Sequence, residues 1–162
     1  MTTGGFDSAG LLLAEQLLAL PALDLAGAVE IGEIAVGIGR ERGHGIAVEV
    51  RMGEWTVFHV SLAGSTADND SWIARKARVV ALTGHSTMYE RVLAEEQGTE
   101  WYSDHGVSES EYAIHGGGLP LHVTGTGHVG TLLISGLPQV EDHLLGIEVL
   151  TEYLARKGEE QI

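Results

Sequence analysis

The apolar positions of the chain change period several times, and each change marks an element. From Ser8 to Leu20, the residues Leu11, Leu12, Ala14, Leu18 and Ala19 predict an amphipathic helix that Pro21 stops. From Asp24 to Gly43 two periods compete. Ala28, Ile31, Ala35 and Ile38 recur as on a helix, whereas Ile34, Val36 and Ile38 alternate as on a strand. Length and the glutamates favour the helix, and the interior glycines weaken it. His44 to Arg51 and Glu54 to Ser61 then alternate around Met52-Gly53, with Ile46, Val48 and Val50 on one face, and predict a hairpin.

Residues 63–69, AGSTADN, are turn chemistry, and Asn69 or Asp70 can cap the helix that follows. That helix, Ser71 to Leu82, puts Trp72, Lys76, Val79, Val80 and Thr83 on one face. A second helix runs from Ser86 to Glu96, and Gly98 to Glu111 reads as an acidic, aromatic-spotted loop. The last helix, Val140 to Lys157, carries Val140, Leu144, Ile147, Leu150 and Leu154 as its apolar stripe.

Between these helices lies the most unusual stretch. From Tyr112 to Gln139 there is no Asp, Glu, Lys or Arg, yet three of the eight histidines fall there. Its glycines, prolines and threonines exclude a membrane span. Leu119–Thr124 and His128–Ser135 predict a second hairpin around Gly125-Thr126-Gly127, buried on both faces because polar alternation is missing. Gly136-Leu137-Pro138 breaks the return strand, and Glu141-Asp142 put acids into the first turn of the last helix. Gly116-Gly117-Gly118 allows close backbone approach to a strand or to a ligand. Two hairpins among helices predict an antiparallel sheet with helices on both faces.

Composition narrows the class. At 162 residues the chain is read as one domain spanning 1–162, large enough to fold without staples. With no cysteine, it has no disulfide, no thiolate metal site and no thiol nucleophile. The first basic residue is Arg40, so the N-terminus lacks a signal-type basic region and a cytoplasmic location is expected. A net charge of −14 disfavours nucleic acid and anionic membrane as partners.

Candidate chemistry then falls on few residues. Arg75, Lys76 and Arg78 are three of only nine basic side chains. As a solvated cluster they would pair with surplus carboxylates, but Lys76 shares a face with Trp72 and Val79 and so points inward, where it can seat a ligand carboxylate or phosphate. His115 is either a structural histidine satisfied by backbone or an axial ligand or acid–base group above the glycines. Pairing Thr124 with His128 would set His122 and His128 diagonally, roughly 7–8 Å apart, too far for joint chelation. No HxxH or HExxH spacing supports zinc. Gly136-Leu137 can offer N–H groups to an anion, although Glu141 and Asp142 compete for that role. Gly84-His85-Ser86 lacks the spacing of a nucleophile elbow.

Three runs, GSTADNDSWIARKARVV, YAIHGGGLPLHV and GHVGTLLISGLPQVEDH, resemble the UPF0303 family, a branch of the GlcG/HbpS-like proteins described as haem-degrading. The resemblance covers about Val29 to Leu154. It implies a profilin-like α/β sandwich with a five-stranded antiparallel sheet and helices on both faces, and a homo-oligomer. The positions that match its motifs are Asn69, Trp72, Lys76, Ser86, His115, Gly116, Gly117, Gly118, Pro120, Ser135, Gly136, Asp142 and His143. Around Leu82-Thr83-Gly84-His85 the match is looser, where relatives tend to have an aromatic residue and another serine.

Three readings follow. The first is a binding protein for a carboxylated planar molecule, foremost a tetrapyrrole (haem or a corrinoid), with Lys76 and Arg75 meeting carboxylates, Trp72 stacking, and His115 or His143 approaching the metal. The second is an enzyme acting on a small organic acid, with His115 or the Asp142-His143 pair as acid–base group. The third is an interaction protein whose motifs only build the oligomer.

Overall fold

The computed structural model describes residues 3–160. After a 3-10 turn at Thr3–Gly5, the helices are α1 (Ser8–Leu17), α2 (Leu25–Arg42), α3 (Ala67–Thr83), α4 (Thr87–Gln97), α5 (Trp101–His105) and α6 (Gln139–Glu160). The strands are β1 (Ala47–Met52), β2 (Trp55–Ser61), β3 (Gly118–Val123) and β4 (Gly127–Ser135). They form one antiparallel sheet in the order β2-β1-β4-β3. No helix among the described residues is long and apolar enough to cross a membrane.

Burial explains the layers. Val48, Val50, Leu119, Leu121, Leu132 and Ile134 point to one face, where α2 and α6 cover them. Ala47 and Leu133 point to the other face and meet Ile73 and Ala77 of α3. The uncharged hairpin is therefore buried on both sides, as its lack of alternation predicts.

The competing periods of 24–43 resolve as one helix. The Asp24 carboxylate accepts the Gly27 N–H at 2.7 Å, and Gly43 ends α2 in the left-handed conformation. Helix α3 begins at Ala67, not Ser71, because Asn69 works from inside the first turn: its Oδ1 accepts the Thr66 N–H at 2.9 Å. The acidic loop contains α5, too short for periodicity to reveal, whose buried Trp101 donates its indole N–H to Glu90 at 2.9 Å.

Helix α6 buries a different stripe from the one hydrophobicity alone picks. Its inner face is Asp142, His143, Leu145, Gly146, Val149, Leu150 and Tyr153, while Leu144 is half exposed. Two polar residues and a glycine belong to this face, and a count of apolar positions cannot see them.

Among the described residues the sheet has four strands, not the five implied by resemblance. At the outer edge of β3, Gly118 donates its N–H to Thr87 Oγ1 at 3.0 Å, and Pro120 has no N–H to give. Farther along, Leu20 alone pairs, donating to the His122 carbonyl at 2.7 Å and accepting from Thr124 N–H at 2.9 Å. Pro21 ends that pairing after one residue.

Two glycines of α2 separate packing from propensity. At Gly37 a methyl group would meet nothing within 4 Å, whereas at Gly32 it would lie 2.3 Å from Cδ1 of Phe58. Gly37→Ala is expected to stabilise the fold by about 0.5–1 kcal/mol through helix propensity alone. Gly32→Ala is expected to cost about 1–3 kcal/mol despite the same propensity gain. Urea titration of both variants checks the pair.

Candidate functional site

The end of β4, the first turn of α6, the N-terminal half of α3 and the segment before β3 enclose a cleft of about 270 Å³. Its walls include Asn69, Trp72 and Lys76 from α3, His115, Ser135 and Gly136. Leu137, Gln139 and Asp142 complete them. Seven of these residues, widely spaced in the chain, are sequence-predicted site positions. Leu137 is marked in the sequence only for its backbone N–H, and Gln139 not at all, although both lie within the quoted motif run.

Lys76 and Asp142 form the floor and are 3% and 2% exposed. The Lys76 ammonium donates to the Ile134 carbonyl at 2.9 Å and to Asp142 Oδ2 at 3.3 Å. Asp142 Oδ1 accepts the Leu137 N–H at 3.0 Å, so the N–H groups of the Gly136-Leu137 turn serve the protein's own carboxylate. Burial raises the Asp142 pKa to about 6, against the lowering effect of Lys76 and the backbone donors. Burial likewise lowers the Lys76 pKa, against the raising effect of Asp142. The two groups are thus drawn toward each other on the pH scale.

Gly117 is what allows this floor. It has φ +125°, and a Cβ there would sit 2.2 Å from the Ile134 oxygen, 2.8 Å from Lys76 Nζ and 3.1 Å from Asp142 Cβ. The close approach predicted for the triple glycine is therefore to β4 and the ion pair. Gly116 donates to Gln139 Oε1 at 3.3 Å at the cleft edge, while Gly118 is already a strand residue turned toward α4.

His115 stands at the cleft wall, edge-on to Trp72 with ring centroids 4.8 Å apart. Arg91, a residue sequence reasoning missed, donates Nη2 to His115 Nε2 at 3.3 Å and Nε to the Ile114 carbonyl at 2.7 Å. Because a guanidinium only donates, Nε2 must accept, and the neutral ring carries its proton on Nδ1. That Nδ1 is shielded from solvent and has no partner among the described residues. Burial, then Arg91, Lys76 and Arg75, lower the His115 pKa to about 4.

Two other predicted residues lie elsewhere. Arg75 sits on the far side of Trp72, with Cζ 4.4 Å from the ring centroid, and its Nε and Nη2 donate to the Glu109 carbonyl. His143 follows Asp142 but points away from the cleft, 98% buried and edge-on to Phe6 at 5.4 Å. Its Nδ1 has no partner among the described residues, and burial lowers its pKa to about 4. Ser86 is the N-cap of α4, accepting the Tyr89 N–H at 3.0 Å. His122 faces His128 directly, not diagonally, because a bulge after Leu121 shifts the register; their ring centroids are 5.7 Å apart. Among the described residues no three His, Asp or Glu side chains converge to hold a metal ion.

The profile described as Haem degrading protein HbpS-like matches residues 23–151, all four strands and the whole cleft. The chain belongs to the HbpS-like family. It is 41% identical over 142 residues to a UPF0303 protein of Streptomyces avermitilis, covering 88% of this chain and 87% of the relative. A UPF0303 protein of Rhizobium johnstonii is 37% identical with the same coverage. Among solved structures, the Ybr137w protein superposes with a TM-score of 0.84 at 25% identity, over 94% of this HbpS-like chain and 90% of its own. HbpS itself (TM-score 0.64, 18% identity, 82% and 89% coverage) and a PduOC:heme complex (0.68, 16%, 80% and 94%) share the fold.

The buried histidine away from the cleft has a pH consequence. The folded pKa of His143, about 4, lies below the ordinary 6.5, so the unfolded chain binds a proton that the folded chain refuses. This group's contribution is fully present above pH 6.5 and is lost as pH falls toward 4. Replacing it in His143→Leu should shrink the stability difference between pH 7 and pH 4 by on the order of 3 kcal/mol. Denaturant midpoints at the two pH values, compared with wild type, measure it.

Proposed function

We propose that this HbpS-like protein binds a carboxylate-bearing small molecule in the Lys76–Asp142 cleft. The observation that carries the reading is a buried lysine facing a cleft walled by further donors. Asn69 Nδ2, which donates to Ser135 Oγ at 3.2 Å, the Ser135 hydroxyl and Lys76 are donors that an incoming carboxylate can share. Asp142, with its pKa raised to about 6, can accept a proton as that anion arrives, which lowers the cost of placing two negative charges near one ammonium. A cleft of about 270 Å³ admits a small acid or one acidic arm of a larger ligand.

A tetrapyrrole is the second reading, favoured by the family's description and by Trp72 at the cleft wall. The residues present fit one of its carboxylates. They do not fit iron ligation by His115, whose Nε2 faces the Arg91 guanidinium and whose Nδ1 is shielded. The macrocycle would therefore stay outside, and no iron ligand is assigned. The enzymatic alternative rested on His115 or His143 as acid–base group. His143 lies outside the cleft, and His115 offers no open ring nitrogen, its Nε2 facing Arg91 and its Nδ1 shielded. Of the Asp142-His143 pair only Asp142 lines the cleft, where Lys76 and the Leu137 N–H hold its carboxylate.

Lys76→Met should weaken a bound carboxylate by about 1.5–3 kcal/mol, roughly 10–150-fold, while Arg75→Met has little effect. Calorimetric titration with small mono- and dicarboxylic acids reads this. Equal effects from both variants would reject the assignment. Haemin addition is the separate arm: a Soret shift lost in Lys76→Met supports the tetrapyrrole.

We also infer self-association of a cytoplasmic protein. The triple-glycine segment, which the uncharged hairpin leads one to expect near a subunit boundary, is buried against the chain's own residues. Support comes from α1, where Leu13 and Leu17, one turn apart, are 55% and 72% exposed. Light scattering at micromolar concentration should return at least twice the single-chain mass, and Leu17→Glu should reduce it. A wild-type single-chain mass would refute the inference.

A further inference from the structure

A second cleft, of about 260 Å³, opens at the other end of the α3 face of the sheet and shares no residue with the first. Its polar lining is Arg51, Glu54, Arg78, His128 and Thr131, over a floor of small residues that includes Ala77 and Gly130. Arg51 and Thr131 are direct cross-strand partners on β1 and β4, and Arg78 reaches the same space from α3.

Two arginines in one small cleft are notable in a chain with 9 basic and 23 acidic residues. The other basic side chains are mostly spent. Arg42, Arg156 and Lys157 pair with glutamates, Arg75 clamps the Glu109 carbonyl, and Arg91 uses all three of its guanidinium nitrogens. Arg51 uses only Nε, held by Glu49 at 2.6 Å, and Arg78 only Nη1, held by the Glu111 carbonyl at 2.8 Å. Each anchor fixes its guanidinium plane. Among the described residues, Nη1 and Nη2 of Arg51 and Nη2 of Arg78 have no acceptor.

We propose that this cleft binds a phosphoryl group. Two planar guanidinium forks and a threonine hydroxyl supply more donors than one carboxylate can satisfy, and they suit the several oxygens of a phosphate monoester. The floor lacks bulky side chains, so such a group has room. Glu54 is the acceptor on the rim, placed to take a hydroxyl of the esterified part. The net charge of −14 disfavours anions over the surface at large, so binding requires a local basic cluster of this kind.

Calorimetry at low salt with inorganic phosphate, glycerol 3-phosphate and succinate tests the assignment. Both phosphates should bind saturably, at least tenfold more tightly than succinate does at this site. Arg78→Gln, an exposed change, should weaken phosphate at least tenfold, and Arg51→Gln similarly. Arg75→Met, at a residue that lines neither cleft and whose guanidinium is spent on the Glu109 carbonyl, should leave it unchanged. The proposal is overturned if phosphate does not saturate, if Arg78→Gln has no effect, or if Arg75→Met weakens phosphate as much as Arg78→Gln does. Succinate binding to the first cleft is read in the same titrations and does not involve Arg51 or Arg78, so failure here is distinguishable from failure of the carboxylate reading.

Discussion

An ammonium and a carboxylate, both almost sealed from water, sit where four parts of the chain meet. Lys76 comes from α3, Asp142 from α6, the Ile134 carbonyl from β4, and Gly117 closes the arrangement from the segment before β3. Removing each charge from water costs several kcal/mol, and a pair at 3.3 Å offsets this only when the remaining polar atoms are also satisfied. Here the Ile134 carbonyl and the Leu137 N–H do so. The pair is therefore weak as a source of net stability but strict as a specifier. Loss of one partner would strand a buried charge, worth about 3–5 kcal/mol. That strictness holds α3, β4 and α6 at the spacing that makes a cleft.

Much of this architecture is legible before any coordinates. Period-2 alternation locates β1 and β2, and the absence of charge from Tyr112 to Gln139 correctly implies a hairpin covered on both faces. What escapes is polar burial. Asp142, His143 and Gly146 occupy the inner face of α6, so the stripe drawn through Leu144 and Ile147 is rotated from the true one. The five-residue α5 escapes because one buried indole bonded to Glu90, not periodicity, holds it.

The cleft was legible to a similar degree, and for a physical reason. Lys76 declared itself by sharing a helix face with apolar residues, and glycines at 116–118 declared a close approach. Sequence neighbours mislead where a helix intervenes. Asp142 and His143 lie on different sides of α6, one in the cleft and one against Phe6. Arg91, which sets the tautomer of His115, is distant in sequence and carries no motif.

The outer rim of β3 has a consequence for growth of ordered aggregates. A sheet polymerises into a fibre only if it can accept a neighbour at both ends. At β3 the hydroxyl of Thr87, the ring of Pro120 and the single bridging residue Leu20 occupy that end, leaving β2 as the terminal strand at the other. Strand addition can then proceed from one side alone, and two sheets joined through β2 would present only closed ends. Growth through strand pairing would therefore stop at two sheets.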